Sequence, residues 1–597
     1  MRKIRVPVFV VGAGPAGLTT AALLAKYGVD VLAITRYPGT AHSPRAHITN
    51  QRTVEVFRDL GIEDRVRALA TSSDMMSNNV WATSFAGTEL ARLQTWGTGT
   101  ERKADYEAAS PSQMCNAPQH LLEPVILSAA REYGAKVLFN TELVSIRQTE
   151  EAVYSCLVDR VTGEEIEVIS DYAVGADGAQ SVVVKDLGFE MDGEMGLGCA
   201  VNCWLEVDLT KYTAHRPGVL YWMNQPGSDY WVGSGTWISV RPWNEWVLLF
   251  MYDPKEGEPD LSEEAVIARA RATVGEADIP VRVKAVSKWT INRMVARTMV
   301  KGRVAIAGDA AHRHPPANGL GSNTSVQDAF NLAWKLAMIV RGEASPALLQ
   351  TYSDERQPVA QGVVNRAIKS VGEMQPIANA LGFSQGQSAA DGWASLDELF
   401  SDCETGKRRR RALAQAVELQ NYQFNCHGVE LGQRYESAAI VRDGATFPAP
   451  TRDAELYYHP TTTPGACLPH AWIEREGVKV STLDLVGKGV FTVLTGTGGQ
   501  AWLDAARQVG DEFGIRIDAV SIAHATDTFD AYGHWAAQRE IEDDGCVLVR
   551  PDRFVAWRSV TRAENPAKEL HRVLTQVLGA APSTVREADA HASGVAV

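Results

Sequence analysis

Glycines 12, 14 and 17 stand in the spacing Gly-x-Gly-x-x-Gly, which can hold a pyrophosphate. Gly12 permits a tight turn, and Gly14 lets the backbone approach a phosphate. Gly17, next to Ala16, lets a following helix pack close to its strand. The free N–H groups at that helix start then face the phosphate charge. Two glycine–acid pairs come later, Asp177-Gly178 and Gly308-Asp309. An acid at a strand end before a Gly-rich loop can accept from the hydroxyls of a polyol, the role read for Asp309. Pro315 and Pro316 then lead into Gly319, Gly321, Ser322 and Asn323. The amides of this loop can meet the N1/C2=O edge of a reduced flavin, which carries negative charge. These groups point to FAD.

The elements that must position them are legible in outline. Residues 5–11 form a β-branched run, with the paired part expected to begin just after Pro7. Leu18 to Tyr27 reads as a helix closed by Gly28, and Val29 to Ile34 as a second strand, which completes a βαβ unit. That strand usually ends in an acid that holds the ribose; here Thr35 and Arg36 stand there. Thr35 can bond a ribose hydroxyl and Arg36 can lie against adenine. Ile169 to Val174 leads into Asp177, Arg303 to Ala307 into Gly308, and Ser325 to Val340 reads as a helix. The runs Val219–Met223, Trp231–Val240 and Trp246–Tyr252 alternate and are aromatic, which predicts a sheet. The polar stretch Ser384–Ser401 reads as a loop or linker. Val490–Leu494 reads as a core strand and Ala501–Val509 as a helix. A second strand–GxGxxG–helix unit is missing, so NADPH or NADH is expected to dock only transiently.

Composition removes several functions. The net charge of −14 over 597 residues leaves no basic stripe for nucleic acid. The basic run Lys407–Arg411 reads as a solvated helix face. Eight cysteines without a Cys-x-x-Cys pair suggest reduced thiols in a cytoplasmic protein. His312 and His314 lack a nearby third ligand, so no metal is expected. No run of 18 apolar residues predicts a membrane span.

Longer strings carry a resemblance: PRAHITNQRT (44–53), HRPGVLYW (215–222), VRPWNEW (240–246), KWTIN (288–292) and GDAAHRHPPANGLGSNTSVQDAFNLAWK (308–335). With the three glycine motifs, they make the chain similar to class A FAD-dependent aromatic hydroxylases, specifically the bacterial phenol 2-monooxygenases. The resemblance implies an α/β (α+β overall) fold. A discontinuous Rossmann-like FAD domain would take 1–185 and 286–400. An antiparallel-sheet substrate domain would take 186–285 and a helical linker 401–429. A thioredoxin-like domain without Cys-x-x-Cys would take 430–597. It implies that NAD(P)H reduces FAD and that O2 then gives a flavin C4a-hydroperoxide, which ortho-hydroxylates a small phenol to a catechol. A homodimer or homotetramer is implied as well. A larger polycyclic substrate and a non-catalytic flavin sensor remain the alternatives. In the family's Asp-Gly motif an Arg usually stands seven residues after the Asp; here that place is Val184.

A neutral phenol is a poor nucleophile with a pKa of about 10, so the site needs a base. By resemblance that base is His47; a loop histidine bonded to backbone is the competing reading. Asn116 stands where some relatives carry an acid, and it cannot act as a base. Tyr221, Trp222 and Met223, with Trp289 and Pro315, are the expected substrate wall; sheet core would explain the first three equally. Arg241 matches a position facing the flavin and nicotinamide, against the alternative of a surface salt bridge. Arg45 and Gln119 match FAD-contacting positions.

Overall fold

The computed structural model describes residues 2–227 and 233–579. It divides into two compact units. One comprises the chain to Ala337, Tyr352–Tyr435 and Pro448–Pro460; the other comprises Met338–Thr351, Glu436–Phe447 and the chain from Thr461.

The first unit contains two large sheets. In one, strands run in the order Val300–Lys301, Val304–Ile306, Glu165–Gly175, Arg2–Val11, Val31–Ile34, Lys136–Leu138. The pairs from Val304–Ile306 across to Lys136–Leu138 are parallel. A parallel strand covered on both faces reads as a continuous apolar run, and Val8, Phe9 and Val10 are fully buried. Pairing does not begin after Pro7 but already at Arg2, opposite Ile166. The ladder to Val31–Ile34, on the other side, starts only at Val8. The missing N–H of Pro7 therefore falls outside both registers. Helix Pro15–Lys26 makes the crossover.

The second sheet has the order His312–Arg313, Arg282–Ala296, Met191–Glu206, Glu245–Tyr252, Gly235–Arg241, Gly218–Met223, Asn78–Ala82, Glu89–Gln94. It corrects the expected 186–285 interval in two ways. Strands 78–94 join it from the N-terminal segment, and strand Arg282–Ala296 runs through the boundary placed at 285. Gly218–Met223 pairs with Asn78–Ala82 in parallel, a long-range match that local alternation does not reveal. Residues 228–232, including Trp231 of one predicted run, lie outside the described residues. One face of the sheet packs Phe85, Tyr221, Trp237 and Trp246 into a core. The other supports a second cluster containing Ile48, Trp81, Trp96, Trp222 and Phe424.

The polar stretch 384–401 is not a loop throughout. Ala389–Phe400 is a helix, capped by the Ser388 side chain accepting from the Asp391 N–H, with Leu396 and Leu399 buried. Only two of its apolar side chains are needed to anchor it, so the composition conceals the helix. The basic run lies in helix Glu404–Leu419.

In the second unit a four-stranded sheet runs Ile517–Ser521, Phe491–Thr495, Cys546–Val549, Val555–Ser559. The first pair is parallel, joined through helix Gln500–Phe513; the other pairs are antiparallel. Helix Pro566–Leu578 follows. A three-stranded sheet, Val478–Ser481, Trp472–Arg475 and Thr528–Phe529, completes the unit. Its core gathers Ile473, Leu494, Trp535, Val547 and Val555. No helix among the described residues is long and apolar enough to cross a membrane.

Candidate active site

Parallel register aligns Ile34, Val11, Gly175 and Ile306 in one row. The residues that follow are therefore neighbours at the carboxyl edge of the sheet: Thr35 and Arg36, Gly12, Asp177, and Gly308 with Asp309. Sheets of this kind bind ligands in the crevice outside that edge. A side chain at Gly12 would lie 2.0 Å from the Ala176 carbonyl oxygen, and one at Gly17 would lie 1.9 Å from that of Gly12. A Cβ on Gly308 would come within 3.1 Å of the Ala16 Cβ, so the two distant glycine turns pack together. Gly14 differs: a Cβ there meets only Glu123 Oε1, at 3.9 Å. The space before it is open. Helix Pro15–Lys26 begins at that point with no side-chain cap and no acidic residue in its first turn. Free N–H groups at a positive helix end, beside open space, fit a pyrophosphate. Asp309 is exposed at the same edge. The residues present fit FAD.

Buried side chains hold the loop from Gly308 to Asn323 from beneath. Asp328 accepts from the Gly308 N–H at 3.1 Å and from Arg356 Nε at 2.8 Å, and His312 Nε2 lies 2.7 Å from the same carboxylate. Burial pushes this carboxyl up, but His312 and Arg356 outweigh it and hold the group below its usual range. Asn323 Oδ1 accepts from the Asn50 N–H at 3.0 Å; its Nδ2 donates to Ile48 O at 2.9 Å and Gly319 O at 2.7 Å. Its side chain is thereby spent on main chain, which leaves its backbone N–H to meet a ligand. Asn318 takes a positive φ of 67° and donates to the Tyr422 carbonyl at 2.7 Å. Burial pushes His314, whose Nδ1 lies 2.7 Å from the Pro315 carbonyl, down to about 4.

His47 sits beside this loop. Residues 46–49 pair with 115–119: His47 O accepts from the Ala117 N–H at 2.8 Å, and Ala46 O from the Gln119 N–H at 2.9 Å. Burial pushes the His47 imidazole down to about 4; nearby His120 lowers it further, and the Ser239 carbonyl pulls it back. The imidazole Nδ1 is buried and has no protein partner. Asn116 Nδ2 donates to the same Ser239 carbonyl at 2.9 Å, and its Oδ1 is likewise unpartnered. Each of the two side chains thus keeps one buried polar atom free. Ile48 carries this segment into the apolar cluster of Met114, Trp222 and Phe424.

The expected wall does not assemble as read. Pleating sends Trp222 into the cluster beside Ile48 and sends Tyr221 and Met223 into the opposite core, because side chains alternate across a strand. The Tyr221 hydroxyl donates to Arg216 O at 2.7 Å. Trp289 lies four strand positions from Gly218–Met223, about 19 Å at ordinary strand spacing, and donates to Asn202 Oδ1 at 3.1 Å. Pro315 is buried and Pro316 exposed on the loop. Asp177 accepts from Ser181 Oγ at 2.5 Å and the Val182 N–H at 2.8 Å. Its carboxylate caps the next turn. Arg241 has a 61% exposed side chain and one ion pair among the described residues, to Glu245 at 3.7 Å. Arg45 is exposed, and Gln119 donates to Glu123 Oε1 at 2.6 Å. Arg36 lies against the Tyr37 ring. No group of three or more potential metal ligands occurs among the described residues. Sequence reasoning missed Glu123, Ser239, His120 and Arg356. Ser239 acts through its backbone, which no residue type announces; Glu123 and Arg356 lie inside helical patterns and show no motif.

The FAD binding domain family matches residues 5–367, and the C-terminal region of aromatic-ring hydroxylases matches 461–581. The 2,4-dichlorophenol 6-monooxygenase of Delftia acidovorans is 46% identical over 96% of this chain and 98% of its own length. The phenol 2-monooxygenase of Pseudomonas sp. (strain EST1001) is 41% identical over 96% of this chain and 93% of its own. The crystal structure of the flavin-dependent monooxygenase PieE with FAD and substrate superposes with a TM-score of 0.94 at 48% identity. It covers 97% of this chain and 100% of that one.

Proposed function

The chain belongs to the FAD-dependent aromatic-ring hydroxylases, and on that premise we propose that it ortho-hydroxylates a small phenol to a catechol. Balanced, phenol, O2, NAD(P)H and a proton give catechol, water and NAD(P)+. Bound FAD supplies the redox chemistry, taking the hydride and activating oxygen; the chain's own residues do the rest. The carrying observation is His47: a buried, neutral imidazole with Nδ1 unpartnered, beside an apolar cluster and one residue from the segment tied to the Gly319 loop. Its lone pair accepts the phenol proton, which moves charge into the ortho carbon. Asn116 Oδ1 offers the substrate hydroxyl a second acceptor. Trp222, Ile48 and Phe424 hold the ring and exclude water. Thr35 and Arg36 take the adenosine end of FAD. Gly12, Gly14 and Gly17 take the pyrophosphate, flanked by Arg45 and Gln119, and Asp309 takes the ribityl chain. The Gly319–Asn323 amides take the N1/C2=O edge. Arg241, exposed and weakly paired, is free to swing towards a docked nicotinamide. The first unit's two sheets are the FAD and substrate domains. The C-terminal βαβ–ββα sheet is a thioredoxin-like domain without thiol chemistry that serves a homodimer or homotetramer. The eight cysteines are all free, in keeping with a cytoplasmic setting.

The test is NADPH-driven O2 uptake by the FAD-loaded protein over a panel of phenols, with catechol and H2O2 both assayed. Phenol-stimulated uptake with near-stoichiometric catechol is expected. Stimulated uptake that yields only H2O2 would point to a larger polycyclic substrate, and no stimulation at all would overturn the assignment.

A further inference from the structure

Asn79 stands in strand Asn78–Ala82 and is fully buried, yet neither its Nδ2 nor its Oδ1 has a partner within the protein. Leaving both ends of a buried carboxamide unpaired is costly, and native structures rarely do so without a reason. Alternation along the strand sends Val80 and Ala82 into the core around Tyr221, and Trp81 into the cluster around Ile48. Asn79, two residues from Trp81, therefore points to the Ile48 side. Register places it in a row with Leu220 and Ile238 on the next two strands. Both of these are only half-buried, so the face is open at its centre. Ser239, the residue after Ile238, supplies the carbonyl that fixes Asn116 at 2.9 Å. The strands carrying Asn79 and the Asn116 anchor thus lie two spacings apart, about 10 Å. Trp222 lies one strand over and one repeat along from Asn79, on the same face, and its indole Nε1 is also buried without a partner.

We propose that Asn79 and Trp222 form a subsite for a neutral, carboxamide-like substituent on the side of the phenol ring away from its hydroxyl. The proposal deepens the phenol hydroxylase reading and rests on it. With the hydroxyl at Asn116, the ring crosses Leu220 and Ile238 and carries its far substituent to Asn79. The chemistry of the two side chains defines that substituent. Asn79 Nδ2 and the Trp222 indole N–H are donors, and a carbonyl oxygen has two lone pairs to accept both. Asn79 Oδ1 needs a donor, which the N–H of an amide supplies. A chlorine or alkyl group satisfies none of the three and leaves all of them unpaired, the condition under which a polar site rejects an analogue most strongly. A carboxylate fails as well. It has no hydrogen for Asn79 Oδ1, and Arg92, on the neighbouring strand, and Arg216 are both ion-paired with Glu89.

The experiment compares kcat/KM for catechol formation from 4-hydroxybenzamide and from 4-isopropylphenol, which has the same branching but neither acceptor nor donor. It uses the FAD-loaded wild type and Asn79→Leu. The wild type is expected to prefer the amide, and that preference to fall at least tenfold in the variant. A general loss of folding or of flavin binding lowers both activities together and leaves their ratio unchanged. The different acidities of the two phenols cancel between the enzymes. Binding of each phenol, read from the perturbation of the flavin absorbance, should show the same tenfold change. A ratio within twofold of wild type would overturn the subsite. If Asn79→Leu does not retain FAD, Trp222→Phe, which keeps an aromatic ring and loses the indole donor, is read in the same way. Unsubstituted phenol separates the two claims. If it is hydroxylated and the amide is not, only the subsite falls. If none of the three compounds stimulates O2 uptake, the hydroxylase reading falls with it.

Discussion

The side chain of Asn323, at the start of helix Gly321–Val340, bonds the main chain on both sides of Thr49, accepting from Asn50 and donating to Ile48. It also donates to Gly319. One carboxamide therefore sets the spacing between the segment carrying His47 and the loop proposed to face the flavin. Three main-chain groups depend on it, and an unmet buried polar group costs about 1–3 kcal/mol. Asn323→Ala is expected to lower the melting temperature by several degrees and to raise H2O2 at the expense of catechol. Asn323→Asp keeps the acceptor for Asn50 but sets a carboxylate oxygen against the Ile48 and Gly319 carbonyls, and should destabilise at least as much as Asn323→Ala. Thermal unfolding with product analysis checks both. Wild-type coupling in Asn323→Ala would remove the spacing role.

Gly14 separates folding from cofactor binding. A Cβ at Gly14 clears the protein, whereas one at Gly12 or Gly17 strikes a backbone carbonyl. Gly14→Ala should leave the apoprotein's melting temperature within about 2 °C, the effect of well under 1 kcal/mol, and weaken FAD binding at least tenfold. Gly17→Ala should fail to fold stably. Titration of apoprotein with FAD, beside its thermal unfolding, distinguishes the cases.

His47→Ala is expected to lower catechol formation roughly 100-fold, within the 10²–10⁴ range for a positioned base, with FAD content unchanged. Catechol formation by the variant at the wild-type rate would exclude His47 from the chemistry.

The same burial sets the acid limb of activity. His47 must be neutral to accept a proton, and burial holds it at about 4. The fall of kcat/KM on acidification should therefore lie near pH 4 and not near the ordinary histidine value of about 6.5. A pH–rate profile, checked for enzyme stability at each point, decides it.

Stability should decline on both sides of neutrality. His47 and His314 at about 4 and His427 at about 3 stay neutral when folded, whereas unfolded histidines protonate below about 6.5. The unfolded chain then binds more protons, so stability falls as pH drops from 6.5 towards 4. Glu430 works in the opposite sense. Burial raises it to about 8, so the folded state keeps a proton that the unfolded chain has lost, and stability falls as pH rises from about 4.5 to 8. Glu430→Gln should flatten that alkaline decline in melting temperature; an unchanged slope would show that Glu430 does not cause it.

Local pattern alone determined the nucleotide-binding half of this protein. Gly12, Gly14 and Gly17 between a strand and a helix, and Gly308-Asp309 at the end of a buried strand, are demanded by backbone clearance and helix-end charge. Both act over a few residues and so leave a mark in spacing. Alternation likewise exposed the central strands of the second sheet. Tertiary structure alone decided the substrate side. Whether Tyr221 or Trp222 joins the cluster around Ile48 depends on which face of Gly218–Met223 meets Ile48, and period-two alternation fits either choice. The acceptor of Asn116 is a backbone carbonyl from a strand far along the chain, and Gln119 is tied to Ala46 by a backbone pairing. Such contacts arise from long-range register, which no stretch of sequence records until the chain has folded.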